Sequence, residues 1–179
     1  MASAFAHATV AATAARLFPT TVQPRRLIVL GILCALLPDL DIVAFAFGIP
    51  YDHPFGHRGF THSLFFAVLL AAVITRVFYP AVESFSKQAF FLTAYFFVST
   101  ASHGVLDALT NGGLGVAFFA PFDSTRMFLP WRPIQVSPIG IAAFFSRWGL
   151  RVLGSESLWV GVPCLSLLAV ARLVRRNRK

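Results

Sequence analysis

The chain has 179 residues, of which 57% are hydrophobic and only 12% are charged, and 20 of them are phenylalanine. A soluble domain of this length has too much surface for its volume to bury so many apolar side chains, so the composition excludes an ordinary soluble protein. The formal net charge of +8 does not indicate nucleic-acid binding, because the basic residues mostly flank apolar segments, as Arg25 and Arg26 do. We therefore expect membrane lipid as the surroundings and no nucleic-acid partner.

Apolar segments follow one another along the chain and predict helices. A helix needs about 20 residues to cross a membrane, so the short first segment is expected to be a tilted span or an interfacial helix. The fifth segment carries Arg147 and Arg151 and is expected to be interfacial or re-entrant. The pattern predicts an all-α fold, a polytopic transmembrane helical bundle of four to six membrane segments, in a single integral membrane domain over residues 1–179. The segments are residues 3–17, 27–49, 61–79, 88–109, 139–153 and 158–174.

The basic residues also predict the orientation of the chain. They gather after the first segment, around the connection between the third and fourth segments, and at the C-terminus. Because cytoplasmic loops are enriched in Lys and Arg, we expect a multi-pass protein with a cytoplasmic C-terminus. The residues assigned to the cytoplasmic side are Arg16, Arg25, Arg26, Arg76, Lys87, Arg172, Arg175, Arg176, Arg178 and Lys179.

Four ionisable residues lie inside apolar segments, where each costs several kcal/mol unless it is paired or solvated. His103 and Asp107 are spaced i, i+4, so they project from one face of the fourth helix and can bind one ion together. Asp39 and Asp41 would point roughly 200° apart on an unbroken helix, at about 100° per residue. Pro38 directly precedes them and predicts a break in the second helix, at which the two carboxylates can converge.

Histidines fall near the same end of the predicted bundle. His57 and His62 flank the start of the third helix, and His7 reaches that end if the first segment crosses the membrane. Cys34 and Cys164 lie apart inside apolar segments, so no thiol joins the set. A mixture of imidazole and carboxylate groups suits zinc, manganese or iron. A bound cation would offset the cost of all these polar groups at once.

Structural interpretations of the same residues stay open. An ion pair between His103 and Asp107 explains these two without a metal, and a capped helix break explains Asp39 and Asp41. Taken alone, His53 is more typical of an ordinary polar residue than of a ligand, and the same holds for an isolated histidine in the first segment. Two further carboxylates are expected to be loop or cap residues: Asp52 and Asp123.

Three ordered motifs carry a resemblance to a known family. They are Pro38-Asp39-Leu40-Asp41, His57-Arg58-Gly59-Phe60-Thr61-His62-Ser63 and Ser102-His103-Gly104-Val105-Leu106-Asp107, followed by Pro121-Phe122. Over residues 1–123 the chain resembles the LexA-regulated, membrane-bound, metal-dependent hydrolases, the YdjM-like inner membrane proteins. Residues 124–179 match only as a connection and C-terminal membrane segments. The resemblance implies a metal-dependent hydrolase of the cell inner membrane, with Arg58 as an anion contact. The metal ligands that it implies are His7, Asp39, Asp41, His57, His62, His103 and Asp107.

The leading hypothesis is hydrolysis assisted by one or two divalent ions, with zinc as the cation expected first and manganese or iron as alternatives. Asp39 or Asp41 would act as general base, and Arg58 would hold a phosphate or carboxylate group of the substrate. A lipid-like or phosphate-containing substrate would reach such a site from within the membrane. The alternative is a non-enzymatic metal-binding or metal-transport protein that uses the same ligands. A third hypothesis is a metal-free lipid phosphatase, whose activity would resist a chelator.

Overall fold

The computed structural model describes residues 1–18 and 22–177, and its regular elements are helices. The predicted all-α fold is confirmed. Arg178 and Lys179, assigned above to the cytoplasmic side, lie outside the described residues. The α-helices are α1 (Ala4–Leu17), α2 (Pro24–Leu36), α3 (Leu64–Phe78), α4 (Lys87–Ala108), α5 (Ile141–Phe144), α6 (Arg147–Glu156) and α7 (Val162–Arg176). Two 3₁₀ helices, Leu37–Phe47 and Phe60–His62, and a π-helical turn, Ser157–Gly161, complete these elements.

Three helical stretches in the described part of the chain are long and apolar enough to cross a membrane: Pro24–Phe47, Lys87–Ala108 and Arg147–Arg176. The apolar α3 has 15 residues, which is short for a full span. The predicted helical membrane bundle is confirmed, with the number of spans at the low end of the expected range. In the most apolar part of the last stretch 11% is buried inside the protein, whereas in the corresponding part of α4 44% is buried. The last stretch therefore mostly faces lipid.

The C-terminal third differs from the prediction. The prediction of two separate segments over residues 139–153 and 158–174 is wrong, because α6 continues through the π-turn directly into α7. Pro163, at the start of α7, has no N–H to donate. The wider i→i+5 bonding of the π-turn absorbs this loss and lets the helix continue past the proline.

Pro38 breaks the second membrane helix as predicted. The α-helical part ends at Leu36, and the chain continues as a 3₁₀ helix that ends at Gly48, whose φ of +71° favours glycine. A 3₁₀ helix has about three residues per turn, so side chains three residues apart lie on one face. Asp39 and Ile42 therefore share a face of this helix.

An apolar core holds α1 to α4 together. Leu30, Leu92, Tyr95 and Phe96 are buried in it, and Gly31 lets α2 approach the Tyr95 ring, where a Cβ atom would overlap the phenol. Helices that lack a hydrophobic driving force in lipid associate through such close packing. The core occupies the half of the bundle that lies away from the polar residues.

Serine caps fix the starts of α3 and α4. Ser63 Oγ accepts the Phe66 N–H, and Ser86 Oγ accepts the Ala89 N–H. Both bonds satisfy amides that lack a partner within their own helix. The start of α3 lies against the last two turns of α4, so His62 faces residues near the C-terminal end of α4.

Candidate metal centre

Four side chains converge at one end of the bundle: Asp39 from the 3₁₀ helix, His62 from the turn before α3, and His103 and Asp107 from α4. Their ligand atoms all lie within 4.8 Å of one another. The Nε2 atoms of His62 and His103 are 3.0 Å apart, and Asp39 Oδ1 lies 3.6 Å and 3.3 Å from them. Asp107 Oδ2 lies 3.6 Å from His62 Nε2 and 4.0 Å from His103 Nε2. Ligands that each lie about 2.0–2.2 Å from one cation are separated by about 3–4 Å, which these distances match.

Outer hydrogen bonds orient the two imidazoles. His103 Nδ1 lies 2.7 Å from the carbonyl oxygen of Ala35, which can only accept, so Nδ1 carries the proton. His62 Nδ1 lies within hydrogen-bond distance of the Thr61 hydroxyl, at 3.1 Å, and equally close to the carboxylate oxygen Asp41 Oδ2. In both rings the Nε2 lone pair is left to face the four-residue cluster. Metal-binding histidines are held by such contacts to their other ring nitrogen.

Asp41 contacts several of the residues that surround the cluster. Its Oδ1 lies 2.7 Å from His57 Nδ1, and its Oδ2 accepts the Arg58 N–H at 3.1 Å and the Thr61 hydroxyl at 2.8 Å. Together with His62, Asp41 and His57 form a second group able to hold a metal. Because its oxygens already bond to four neighbours, Asp41 orients residues of the first group rather than facing that group's centre.

His7 reaches the cluster from α1. Its ring stacks on His103 with the ring centres 3.8 Å apart and the planes 12° from parallel, and its Nε2 lies 3.6 Å from Asp107 Oδ1. The side chain is fully buried. The structure therefore brings the histidine of the first segment to the same place as the motif residues of the other helices.

Arg58 contacts the protein with all three of its guanidinium nitrogens. Nε lies 2.9 Å from Asp107 Oδ2, Nη1 donates to the Gly112 carbonyl at 2.9 Å, and Nη2 donates to Thr110 Oγ1 at 3.1 Å. The side chain is fully buried, and its φ of +62° is uncommon for a residue other than glycine. These contacts place the guanidinium against Asp107, where it holds that carboxylate in position.

Several buried polar atoms at this end of the bundle find no hydrogen-bond partner among the described residues. Each such atom costs about 1–3 kcal/mol when no group satisfies it. A cation would satisfy the two carboxylate oxygens that face the cluster, so the donor set fits a divalent metal. The atoms are Asp39 Oδ1, Asp107 Oδ2, His57 Nε2, Arg58 Nε and both ring nitrogens of His7, and of these Arg58 Nε and Asp107 Oδ2 form an ion pair at 2.9 Å.

The electrostatics at His62 favour positive charge. Three carboxylates surround its ring nitrogens, with Asp41 Oδ2 at 3.1 Å and both Asp39 Oδ1 and Asp107 Oδ2 at 3.6 Å. His62 lies before α3, in the 3₁₀ turn that packs on the end of α4. A divalent cation supplies the positive charge that the surrounding carboxylates favour at its Nε2.

Comparison with known proteins identifies the family of the chain. The family of YdjM inner membrane proteins matches residues 1–178 of the chain. The chain belongs to this family. The inner membrane protein YbcI of Escherichia coli (strain K12) is 40% identical over 158 residues, which cover 87% of this chain and 88% of YbcI. No solved structure matches. Family membership and the described spans make this an inner membrane protein.

Three polar residues outside the three motifs were also considered as candidates, and they lie on loops: Asp52, His53 and Asp123. Asp52 and His53 are exposed on the loop after the 3₁₀ helix, and the structure does not bring them to the cluster. Asp123 Oδ1 accepts the Thr125 N–H at 2.8 Å, which is the loop role expected for it.

Glu156 is a site-supporting residue that the sequence reasoning missed. It is buried in the last membrane stretch, and its two carboxylate oxygens accept the Ser3 N–H and the Ser3 hydroxyl at 2.5 Å each. The contact fixes the start of α1, and so the position of His7. An isolated acidic residue between apolar turns is the signal that could have identified it.

Proposed function

We propose that this inner membrane protein is a metal-dependent hydrolase whose divalent cation is held by Asp39, His62, His103 and Asp107. The observation that carries the proposal is the convergence of these four ligand atoms within 4.8 Å, with both imidazoles oriented by outer hydrogen bonds. Zinc is the cation that this set of two imidazoles and two carboxylates favours first, and manganese and iron accept the same ligands. The His7 ring stacks on the His103 ring and covers the side of the cluster that faces α1.

One cation accounts for the geometry better than two. The second group consists of Asp41, His57 and His62, and it could use only the Nδ1 side of His62, which already bonds to Asp41. The 2.7 Å contact between His57 Nδ1 and Asp41 Oδ1 in that group is a hydrogen bond of ordinary length, and Asp41 Oδ2 lies 3.1 Å from His62 Nδ1. We therefore assign Asp41 and His57 to the support of a single metal centre.

When bound, a divalent cation lowers the pKa of a water molecule and polarises the bond to be broken. Asp39 is the general base in this proposal, because its side chain is 13% exposed whereas those of His62, His103 and Asp107 are fully buried. The water oxygen bonds to the phosphorus or carbonyl carbon of an ester, and the bond to the leaving oxygen breaks. Asp39 accepts the proton of the water and returns it to that leaving oxygen.

Asp41 and Arg58 are positioning residues in this scheme. Asp41 holds the ring of His62, and Arg58 neutralises and fixes Asp107 at 2.9 Å. All three guanidinium nitrogens of Arg58 contact protein groups, which favours this role over the substrate contact that the motif suggested. The substrate is a lipid-like or phosphate-containing ester that reaches Asp39.

Hydrolysis by protein reconstituted in liposomes tests the proposal. Purified protein is presented with a panel of phosphate and carboxylate esters, with and without a chelator, and zinc, manganese or iron(II) is then added back. We expect activity that the chelator removes and one of these cations restores. His103→Ala should abolish it, whereas His53→Ala, which removes an exposed imidazole, should retain it.

Two outcomes contradict the proposal. Hydrolysis that resists the chelator and remains in His103→Ala would favour a metal-free lipid phosphatase. Flux of zinc across the liposome membrane, together with no hydrolysis of any ester, would favour metal transport.

A further inference from the structure

An apolar cleft opens beside the candidate metal centre, between the start of α1, the 3₁₀ helix after α2 and the short α5. Its volume is about 340 Å³, near the lower end of the ~300–1,000 Å³ of small-molecule pockets. The Phe5 and Phe144 rings lie across it with their centres 6.1 Å apart. Such a lining excludes a strongly polar ligand and favours hydrocarbon. The apolar walls include Ala4, Phe5, Ile42, Phe144 and Phe145.

Two walls of this cleft lead to the metal-centre residues. Ile42 lies one 3₁₀ turn after Asp39 and therefore on the same face, and Asp39 is the part-exposed carboxylate of the centre. On the opposite wall Ser3 adjoins Ala2, whose N–H donates to Asp107 Oδ1 at 2.6 Å. The cleft therefore adjoins the elements that position the carboxylates of the metal centre.

The sequence directly after the phenylalanines of the cleft contains two arginines and a tryptophan. Arg147, Trp148 and Arg151 line a second pocket on α6, which begins shortly after Phe144 and Phe145. Trp and Arg at the end of a membrane span are typical of the layer where acyl chains meet head groups. The Trp148 indole N–H donates to the Val136 carbonyl at 2.8 Å, which fixes this side chain at the edge of the long C-terminal helix.

We propose that the cleft binds one acyl chain of a membrane phospholipid and places its ester or phosphate group at the Asp39 side of the metal centre. The inference rests on the proposed function and names its substrate class. Three features favour a phospholipid over other apolar occupants. The cleft is apolar, its Ile42 and Ser3 walls adjoin elements that carry Asp39 and contact Asp107, and arginines follow its phenylalanines closely in the sequence. A cation and arginines together favour an anionic head group.

Photocrosslinking tests this site. Wild-type protein, Ala4→Trp and Ala169→Trp are reconstituted in liposomes of phosphatidylethanolamine and phosphatidylglycerol that contain a phospholipid with a diazirine in one acyl chain. Ala4 is exposed and lines the cleft, so an indole there fills it from the surface, whereas Ala169 is exposed on α7 outside the cleft. We expect labelled peptides to contain Ile42 or the Phe144–Phe145 pair. Labelling there should fall roughly ten-fold in Ala4→Trp, the change expected for a loss of about 1.4 kcal/mol in binding, and stay unchanged in Ala169→Trp.

Elemental analysis of the same preparations separates this inference from the proposed function. Labels spread evenly over the lipid-facing helices, or equal cleft labelling in Ala4→Trp and Ala169→Trp, would overturn the lipid site even if wild-type protein holds its metal and hydrolyses soluble esters. Cleft labelling that depends on Ala4 in a protein without metal would support the lipid site and overturn only the hydrolase. A cleft that is covered by a second protein and takes up no label would also overturn the lipid site.

Discussion

The two halves of α4 show how one helix serves two purposes. Its first half contributes Leu92, Tyr95 and Phe96 to an apolar core in which packing accounts for the burial. Its last two turns contribute His103 and Asp107, which are equally buried, and Asp107 Oδ2 pairs with Arg58 Nε at 2.9 Å but accepts no hydrogen bond in the described structure. Packing accounts for the burial in the first half, whereas in the proposed function a cation offsets the burial of polar groups in the second half. Variants that separate these two kinds of stability test that difference.

The largest effect is expected from Asp107→Ala. The substitution removes one proposed ligand and leaves the buried Arg58 guanidinium without its carboxylate at 2.9 Å. An uncompensated buried charge of this kind costs about 3–5 kcal/mol. Denaturant unfolding in detergent should show this loss of stability, together with the loss of bound metal. Asp123→Ala, on an exposed loop, is the control and should change neither; unchanged stability in Asp107→Ala would contradict the ion pair.

Phe96→Ala breaks the apolar half and should leave the metal centre intact. Phe96 is fully buried in the core around α4, and truncation of a buried aromatic side chain costs about 3 kcal/mol at the lower end of the observed range. The same unfolding assay should show this loss, while the metal content of the folded protein equals that of the wild type. Loss of metal from the folded fraction of Phe96→Ala would show that the two halves are not separable.

Asp41→Asn is expected to weaken metal binding without removing the site. The amide cannot accept from His62, His57, Arg58 and Thr61 as the carboxylate does, so the His62 ring is held less firmly. Changes to residues that orient a metal ligand typically lower affinity about 10–100-fold. Competition with a zinc-binding dye should show a weaker Kd with unchanged stoichiometry at saturating zinc.

Asp52→Asn is the matched control for this variant, because Asp52 is exposed and lies outside the cluster. Its zinc affinity should equal that of the wild type. A complete loss of stoichiometry in Asp41→Asn, equal to that in Asp39→Asn, would instead make Asp41 a direct ligand.

Thr61→Val should have the smallest effect. It removes the hydroxyl that donates to Asp41 Oδ2 and contacts His62 Nδ1, a loss of about 0.5–1.5 kcal/mol because Asp41 Oδ2 still lies 3.1 Å from that ring nitrogen, and it keeps the shape of the side chain. Zinc affinity should fall by less than about ten-fold, the equivalent of 1.4 kcal/mol. Thr9→Val, whose hydroxyl bonds within its own helix on the exposed side of α1, should not alter zinc binding. If Thr61→Val lost more zinc affinity than Asp41→Asn, Asp41 would not be the main residue that orients His62.

Sequence reasoning predicted the parts of the site that follow from local geometry. The i, i+4 spacing of His103 and Asp107 determines their common face, and Pro38 predicts the helix break that carries Asp39 and Asp41. These features depend only on residues that are close in the sequence, so spacing is sufficient to predict them.

The remaining details depend on contacts between distant segments. Asp39 lies near His62 Nε2 and faces the centre, whereas Asp41 lies near His62 Nδ1 on the other side of the ring. This difference depends on how the His62 ring lies against α4. The same holds for Arg58, whose guanidinium meets Asp107 only after the loop folds over the end of α4. The Ser3–Glu156 contact joins opposite ends of the sequence, and no local pattern predicts it.

Elemental analysis of detergent-purified protein tests the central claim most directly. Wild-type protein, His103→Ala and His53→Ala are loaded with zinc, freed of excess metal, and checked for folded structure by circular dichroism. We predict one tightly bound divalent ion per chain in the wild type and in His53→Ala, and none in folded His103→Ala. A metal-free wild type, or full occupancy in His103→Ala, would contradict a metal centre at this end of the bundle.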